Sequence, residues 1–125
     1  PLSLQNKLLT VPELTLEFQG NRTSVYNAFL DTGSGGTLFD TDMVAAIGIS
    51  YDTGMDIRTI QGIGEPETVF EHEINIEVAT LRLDGFIAEI GNMQQYGFTA
   101  LIGLDFLLAT HAIIDLDAMT LTLRT

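Results

Sequence analysis

The sequence contains no cysteine, and only five of its residues are Lys or Arg, with Lys7 the single lysine. Without cysteine there are no disulfides, no thiolate metal sites and no cysteine nucleophile. Reducing and oxidising compartments both accept such a chain, so no localisation follows. Against the five cations stand 17 Asp and Glu, for a formal net charge of −12. A phosphate backbone needs several cations to neutralise it, so nucleic acid is not an expected partner, and an anionic membrane face is unfavourable for the same reason. No apolar run approaches the roughly 20 residues that span a bilayer, so no membrane contact is expected from this segment. No basic stretch precedes an apolar one in the manner of a signal peptide. Pro1 rather than Met stands first, which leads us to expect a fragment or a processed product. Proline occurs three times, and no Pro-rich or Ser-rich linker divides the chain.

What remains is a chain of 125 residues, 46% of them hydrophobic. That length predicts one domain over 1–125 with a sizeable core, and that apolar content is not that of a disordered acidic tail. Period-two alternation dominates. Leu14, Leu16 and Phe18 alternate with Glu13, Thr15 and Glu17, and Ile74, Ile76 and Val78 with Glu73, Asn75 and Glu77. Leu81 and Leu83 open a strand continuing through Phe86 to Ile90, and Met119, Leu121 and Leu123 mark another. Each reads as a half-buried strand. Gln19-Gly20-Asn21-Arg22 reads as a turn, with Thr23 to Leu30 returning. Two short helices are predicted. One follows the cap signal Asp40-Thr41-Asp42 and stops at Gly48, and the other runs from Leu104 to Thr110. The result is a mostly β domain with two short helices.

The stretch Ala28-Phe29-Leu30-Asp31-Thr32-Gly33-Ser34-Gly35-Gly36-Thr37 carries the chemistry. An apolar strand runs directly into an aspartate and then a glycine-rich turn. This places the Asp31 carboxylate at the end of a rigid element, with Gly33 able to bring backbone amides close to it. A carboxylate fixed in this way suits acid–base work. Asp-Thr-Gly is also an ordinary turn sequence.

About seventy residues later comes Ala100-Leu101-Ile102-Gly103-Leu104. Together, Phe29-Leu30-Asp31-Thr32-Gly33-Ser34 and Ala100-Leu101-Ile102-Gly103 resemble the retropepsin-like aspartic proteases. That family pairs a hydrophobic-hydrophobic-Asp-Thr-Gly-Ser/Ala motif with a downstream hydrophobic-hydrophobic-Gly motif that opens a short helix. His111 to Leu116 with Thr120 to Leu123 is similar to the closing hairpin of its cellular and bacterial-type members. The resemblance covers roughly residues 13–123. It implies a closed β-barrel, an aspartic endopeptidase activity on peptide or protein substrates, and no cofactor or metal. It implies Asp31 as the catalytic residue, supported by Thr32, Gly33 and Ser34, with Leu101, Ile102 and Gly103 as the second motif. Ile60-Gln61-Gly62-Ile63-Gly64 looks like the flap over the substrate, and glycines suit a hinging turn there. The tip lacks the aromatic of pepsin-type flaps, and Tyr51 and Phe70 only flank it.

Aspartic protease chemistry needs two carboxylates sharing one proton, and although Asp-Thr-Gly occurs again at Asp52-Thr53-Gly54, only the one at Asp31 follows the hydrophobic pair of the motif. Asp105 falls inside the second predicted helix, and Asp115 and Asp117 fall in the terminal hairpin, where a solvated turn accounts for them. The solution the family implies is a homodimer with one Asp31 from each chain at the two-fold axis, Thr32 bonding across it. A non-catalytic homodimeric peptide-binding or adaptor domain of the same fold is the alternative, and a monomeric ligand carrier a third. Other constellations are weaker. No Gly-Lys-Ser/Thr P-loop exists. Asp31 to Asp42 has the length of a calcium loop, but Gly33 and Gly35 stand where ligands belong. His72 points opposite to Glu71 and Glu73 on a strand that reads as solvated, and His111 reads as ending the second helix.

Overall fold

The computed structural model describes residues 1–5, 7–53, 57–60 and 67–125 of the chain. Among the described residues, eight strands form one sheet: β1 (Ser3–Gln5), β2 (Leu8–Phe18), β3 (Asn21–Leu30), β4 (Leu38–Asp40), β5 (Ile57–Ile60), β6 (Glu67–Val78), β7 (Leu81–Gly91) and β8 (Ala100–Ile102). Their spatial order is β1-β2-β3-β8-β4-β7-β6-β5, and β2 pairs additionally with β6. A separate two-stranded sheet joins β9 (Ile113–Asp115) to β10 (Thr120–Thr122). Among the described residues there are two α-helices, α1 (Thr41–Ala45) and α2 (Leu104–Ala109), and two single 3-10 turns, Tyr51–Thr53 and Gln94–Tyr96. The expected mostly β composition with two short helices is what is found.

The long strands follow the predicted alternation. Leu14 and Leu16 are buried while Glu13 is exposed, and Ile74 and Ile76 are buried while Glu73 is exposed. β3 begins at Asn21, two residues before the sequence reading placed it. Gln19 (φ 51°) and Gly20 (φ 86°) both take left-handed conformations, which makes a two-residue turn whose twist suits a hairpin. Pairing therefore resumes at once with Phe18 opposite Asn21. His72 corrects a second expectation. It is only 2% exposed because it shares the inward face of β6 with Ile74 and Ile76. The Phe18 ring meets it edge-on at 4.8 Å. Its Nδ1 lies 2.6 Å from the Glu73 carbonyl oxygen, which only accepts, so Nδ1 carries the proton.

α1 is capped as expected. The Asp40 carboxylate accepts from the Asp42 and Met43 amides and also from the Met93 amide at 2.9 Å. α2 ends at Ala109 with Thr110 as its cap, and His111 follows with φ 48°, past the helix rather than in it. Val25, Ala28, Phe39, Val44, Ile90 and Phe106 belong to one core between the sheet and the helices. The N-terminal segment is tied to the terminal hairpin by the Leu2 amide, which donates to the Met119 carbonyl at 2.7 Å. Among the described residues, no helix is long and apolar enough to cross a membrane.

Candidate active site

The site is built where two strands meet in parallel. β3 and β8 pair Phe29 with Leu101 and Leu30 with Ile102. The Asp31 amide then donates to the Ile102 carbonyl at 2.9 Å, which anchors the aspartate to the sheet at the point where β3 ends. The chain turns immediately: the Ser34 amide donates to the Asp31 carbonyl at 3.2 Å. Within this turn the Gly33 amide donates to Asp31 Oδ1 at 2.8 Å, so a backbone donor holds one carboxylate oxygen. Asp31 is half-buried, whereas Thr32 and Gly33 are exposed. The Ser34 hydroxyl is turned inward and donates to the Gly36 carbonyl at 2.8 Å.

The second motif packs directly on this loop. The Leu104 amide donates to the Ser34 carbonyl at 2.8 Å, and the Asp105 amide donates to the Gly35 carbonyl at 3.2 Å. Contact is closest at Gly103. A Cβ there would lie 2.2 Å from the Gly36 carbonyl oxygen and 2.9 Å from that of Ser34, so only glycine fits. The structure thus brings Asp31, Thr32, Gly33 and Ser34 against Leu101, Ile102 and Gly103, two segments read separately in the sequence.

The remaining predicted group is divided. Ile60 ends β5, which pairs with β6 through Ile60 and Glu67. Gln61, Gly62, Ile63 and Gly64 lie outside the described residues. Tyr51 meets Phe70 at a centroid distance of 6.0 Å. Asp115 caps its own turn, its Oδ1 accepting from the Asp117 and Ala118 amides at 3.0 Å each.

Two residues of the site escaped the sequence reading. Thr37 is fully buried, and its hydroxyl donates to Asp105 Oδ1 at 2.7 Å while accepting from the Gly103 amide at 3.0 Å. A hydroxyl residue caught between Gly36 and the apolar Leu38-Phe39, with an acid in the first turn of the helix after the second glycine motif, was the available signal. Beside the strand that carries Asp31 lies a groove of about 260 Å³ lined by Leu8, Thr10, Tyr26, Phe29, Tyr96 and Phe98, among others. Phe98 contacts Phe29 at 5.2 Å and Tyr96 at 6.0 Å, a ladder of rings along its wall.

A mostly β fold in which an Asp-Thr-Gly loop is seated on a second hydrophobic-Gly segment is the retropepsin-like arrangement. The sequence profile of the aspartyl proteases matches residues 14–106, and the chain belongs to that family. Among solved structures it is similar to the crystal structure of the retroviral protease-like domain of Ddi1 from Leishmania major. The likeness has a TM-score of 0.63 at 18% identity and covers 91% of this chain and 88% of that one. At that identity it speaks to the fold alone. A comparison with curated protein sequences finds no match.

Proposed function

We propose that the protein is an aspartic endopeptidase that hydrolyses peptide bonds with water activated between two Asp31 carboxylates, one from each chain of a homodimer. The observation that carries this reading is the seating of Asp31. One of its oxygens accepts the Gly33 amide at 2.8 Å, and its own amide is pinned to β8 at 2.9 Å, so the carboxylate is held by backbone rather than by a mobile side chain. One carboxylate acts as base on the water while its twin donates to the scissile carbonyl. The other candidate aspartates have settings of their own: Asp105 is engaged by Thr37, Asp115 by its own turn, and Asp52 is exposed.

Three features support pairing with a second copy. Thr32, beside the aspartate, is exposed, as a residue bonding across a two-fold axis must be before association. Leu104 and Leu108, on the helix that begins at the Asp31 loop, are 39% and 71% exposed. Ile113 and Leu116, just beyond it, are exposed as well. The pairing of β2 with β6 supports reading the sheet as a closed barrel. The ring-lined groove beside β3 suits apolar side chains of an extended peptide, and residues 60–64 are the proposed flap.

Asp31→Asn tests the reading. Asn is nearly isosteric, so the variant should keep its circular dichroism spectrum and its oligomeric state and lose peptide cleavage by at least about 10³-fold. Wild-type activity should be indifferent to chelators. A wild-type dimer that binds peptides without cutting them would instead establish the adaptor reading.

A further inference from the structure

The proposed reaction uses Asp31 and leaves a second carboxylate beside its loop without a part. Asp105 is half-buried in the first turn of α2. Its Oδ1 accepts the Thr37 hydroxyl at 2.7 Å and the Phe106 amide at 2.7 Å, and its Oδ2 accepts the Thr37 amide at 3.2 Å. The Thr37 hydroxyl is buried and accepts the Gly103 amide at 3.0 Å. It has one proton to donate and spends it on Asp105, and its lone pair serves the amide. Loop, helix and the end of β8 are therefore tied at one point.

That point is the far end of the loop that begins at Asp31. The near end is fixed by the Asp31 amide on the Ile102 carbonyl at 2.9 Å, and the middle by the Ser34 and Gly35 carbonyls on the first amides of α2. Gly103, which donates to Thr37, is also the residue whose missing Cβ lets the Gly36 carbonyl approach. Charge-assisted hydrogen bonds are stronger than neutral ones, and a reacting group displaced by about 1 Å loses on the order of 10²-fold in rate.

Resting on the protease reading, we infer that Asp105 is a positioning residue for Asp31, acting through Thr37 and Gly103 and touching neither substrate nor water. A role confined to capping α2 would lower stability and leave turnover per folded dimer unchanged, which makes the two separable.

The test uses the full chain with Asp105→Ala, Thr37→Val and Thr37→Ser. Thr37→Ser keeps the hydroxyl and should retain kcat within about threefold. Thr37→Val and Asp105→Ala should each lose roughly 10- to 100-fold in kcat per folded dimer, with KM within about twofold. The double variant should be no worse than the poorer single one, because both break one connection. Amide hydrogen exchange gives the second readout. In Asp105→Ala, the amides of Thr37, Gly103 and Gly33 should exchange roughly tenfold faster relative to those of Ile74 and Ile90. Unchanged kcat per folded dimer in Asp105→Ala, or equal damage from Thr37→Ser and Thr37→Val, overturns the inference. Should Asp105→Ala fail to fold, the Thr37 pair decides. If the wild type cleaves no peptide, the protease reading fails separately. The Gly33 amide, bonded to the Asp31 carboxylate, then decides whether Asp105 fixes that side chain, and unchanged exchange there overturns it.

Discussion

At the scale of single residues, the site depends on what is missing from Gly103. The hydrogen that stands in place of a side chain leaves room for the Gly36 carbonyl oxygen, which a Cβ would meet at 2.2 Å. Both obstructing groups, on Gly36 and Ser34, are backbone, so neither can swing aside as a flexible side chain would. Gly103→Ala should therefore force the Asp31 loop away from α2 at a cost of about 1–3 kcal/mol, read as a fall of several degrees in Tm. Gly35 is the control in the same loop. Nothing lies within 4 Å of its added Cβ, so Gly35→Ala should stay within about 0.5 kcal/mol of wild type. Equal melting temperatures for the two variants would contradict the close approach. Asp31 itself was legible in the sequence because a strand that runs into Asp-Thr-Gly leaves the carboxylate at a fixed strand end. Thr37 and Asp105 were not, since they are 68 positions apart and meet only because β3 and β8 run side by side into their loops.

At the scale of elements, cross-strand charge gives the sheet a pH dependence. Arg82 on β7 contacts Glu77 at 2.9 Å and Glu17 at 3.3 Å, and Arg22 on β3 also pairs with Glu77. Asn75 donates to Glu17 at 2.7 Å. Hydrogen bonds from Arg22, then Arg82, hold the Glu77 carboxyl below its ordinary 4.5, and those from Asn75, then Arg82, lower Glu17. Carboxylates lowered on folding bind protons less readily in the native state. Their contribution is therefore present above the unfolded value near 4.5 and is lost as pH falls through the folded one. The stability gap between wild type and Glu77→Gln should be largest near neutral pH and should close in acid, as measured by urea midpoints across pH. A gap that does not vary with pH would assign the difference to packing instead. The long strands that carry these residues were readable from alternation, because each has one buried face. The three-residue strands β1 and β4 were not, since three residues are too few to show a period. His72 departs from the expected solvated position because it falls in the inward register with Ile74 and Ile76, and register rather than polarity decides its burial. A buried histidine is tolerated there because its Nδ1 proton has the Glu73 carbonyl.

At the scale of the whole molecule, the difficulty is charge. Each chain carries a formal −12, so two copies would approach against mutual repulsion, and the seam of the proposed dimer would have to be apolar or screened. The exposed Leu104, Leu108, Ile113 and Leu116 are side chains that such a seam would cover. If the reactive centre takes one Asp31 from each chain, association and activity are linked by mass action. Specific activity should then fall on dilution toward the dimer dissociation constant, and added salt should offset that fall by screening the repulsion. A mixing experiment separates a shared centre from one contained within a chain. Wild-type and Asp31→Asn chains are refolded together so that dimers form at random, at constant total protein. With a wild-type fraction f, only f² of the dimers carry two carboxylates, and dimers with a single carboxylate cannot supply both base and acid. Activity per total dimer should therefore follow f², so that an equimolar mixture shows about a quarter of the wild-type rate rather than half. A centre confined to one chain would follow f and would not respond to dilution. A linear curve would reject the shared centre even if Asp31 proved essential, because it would show that each chain brings both groups by itself.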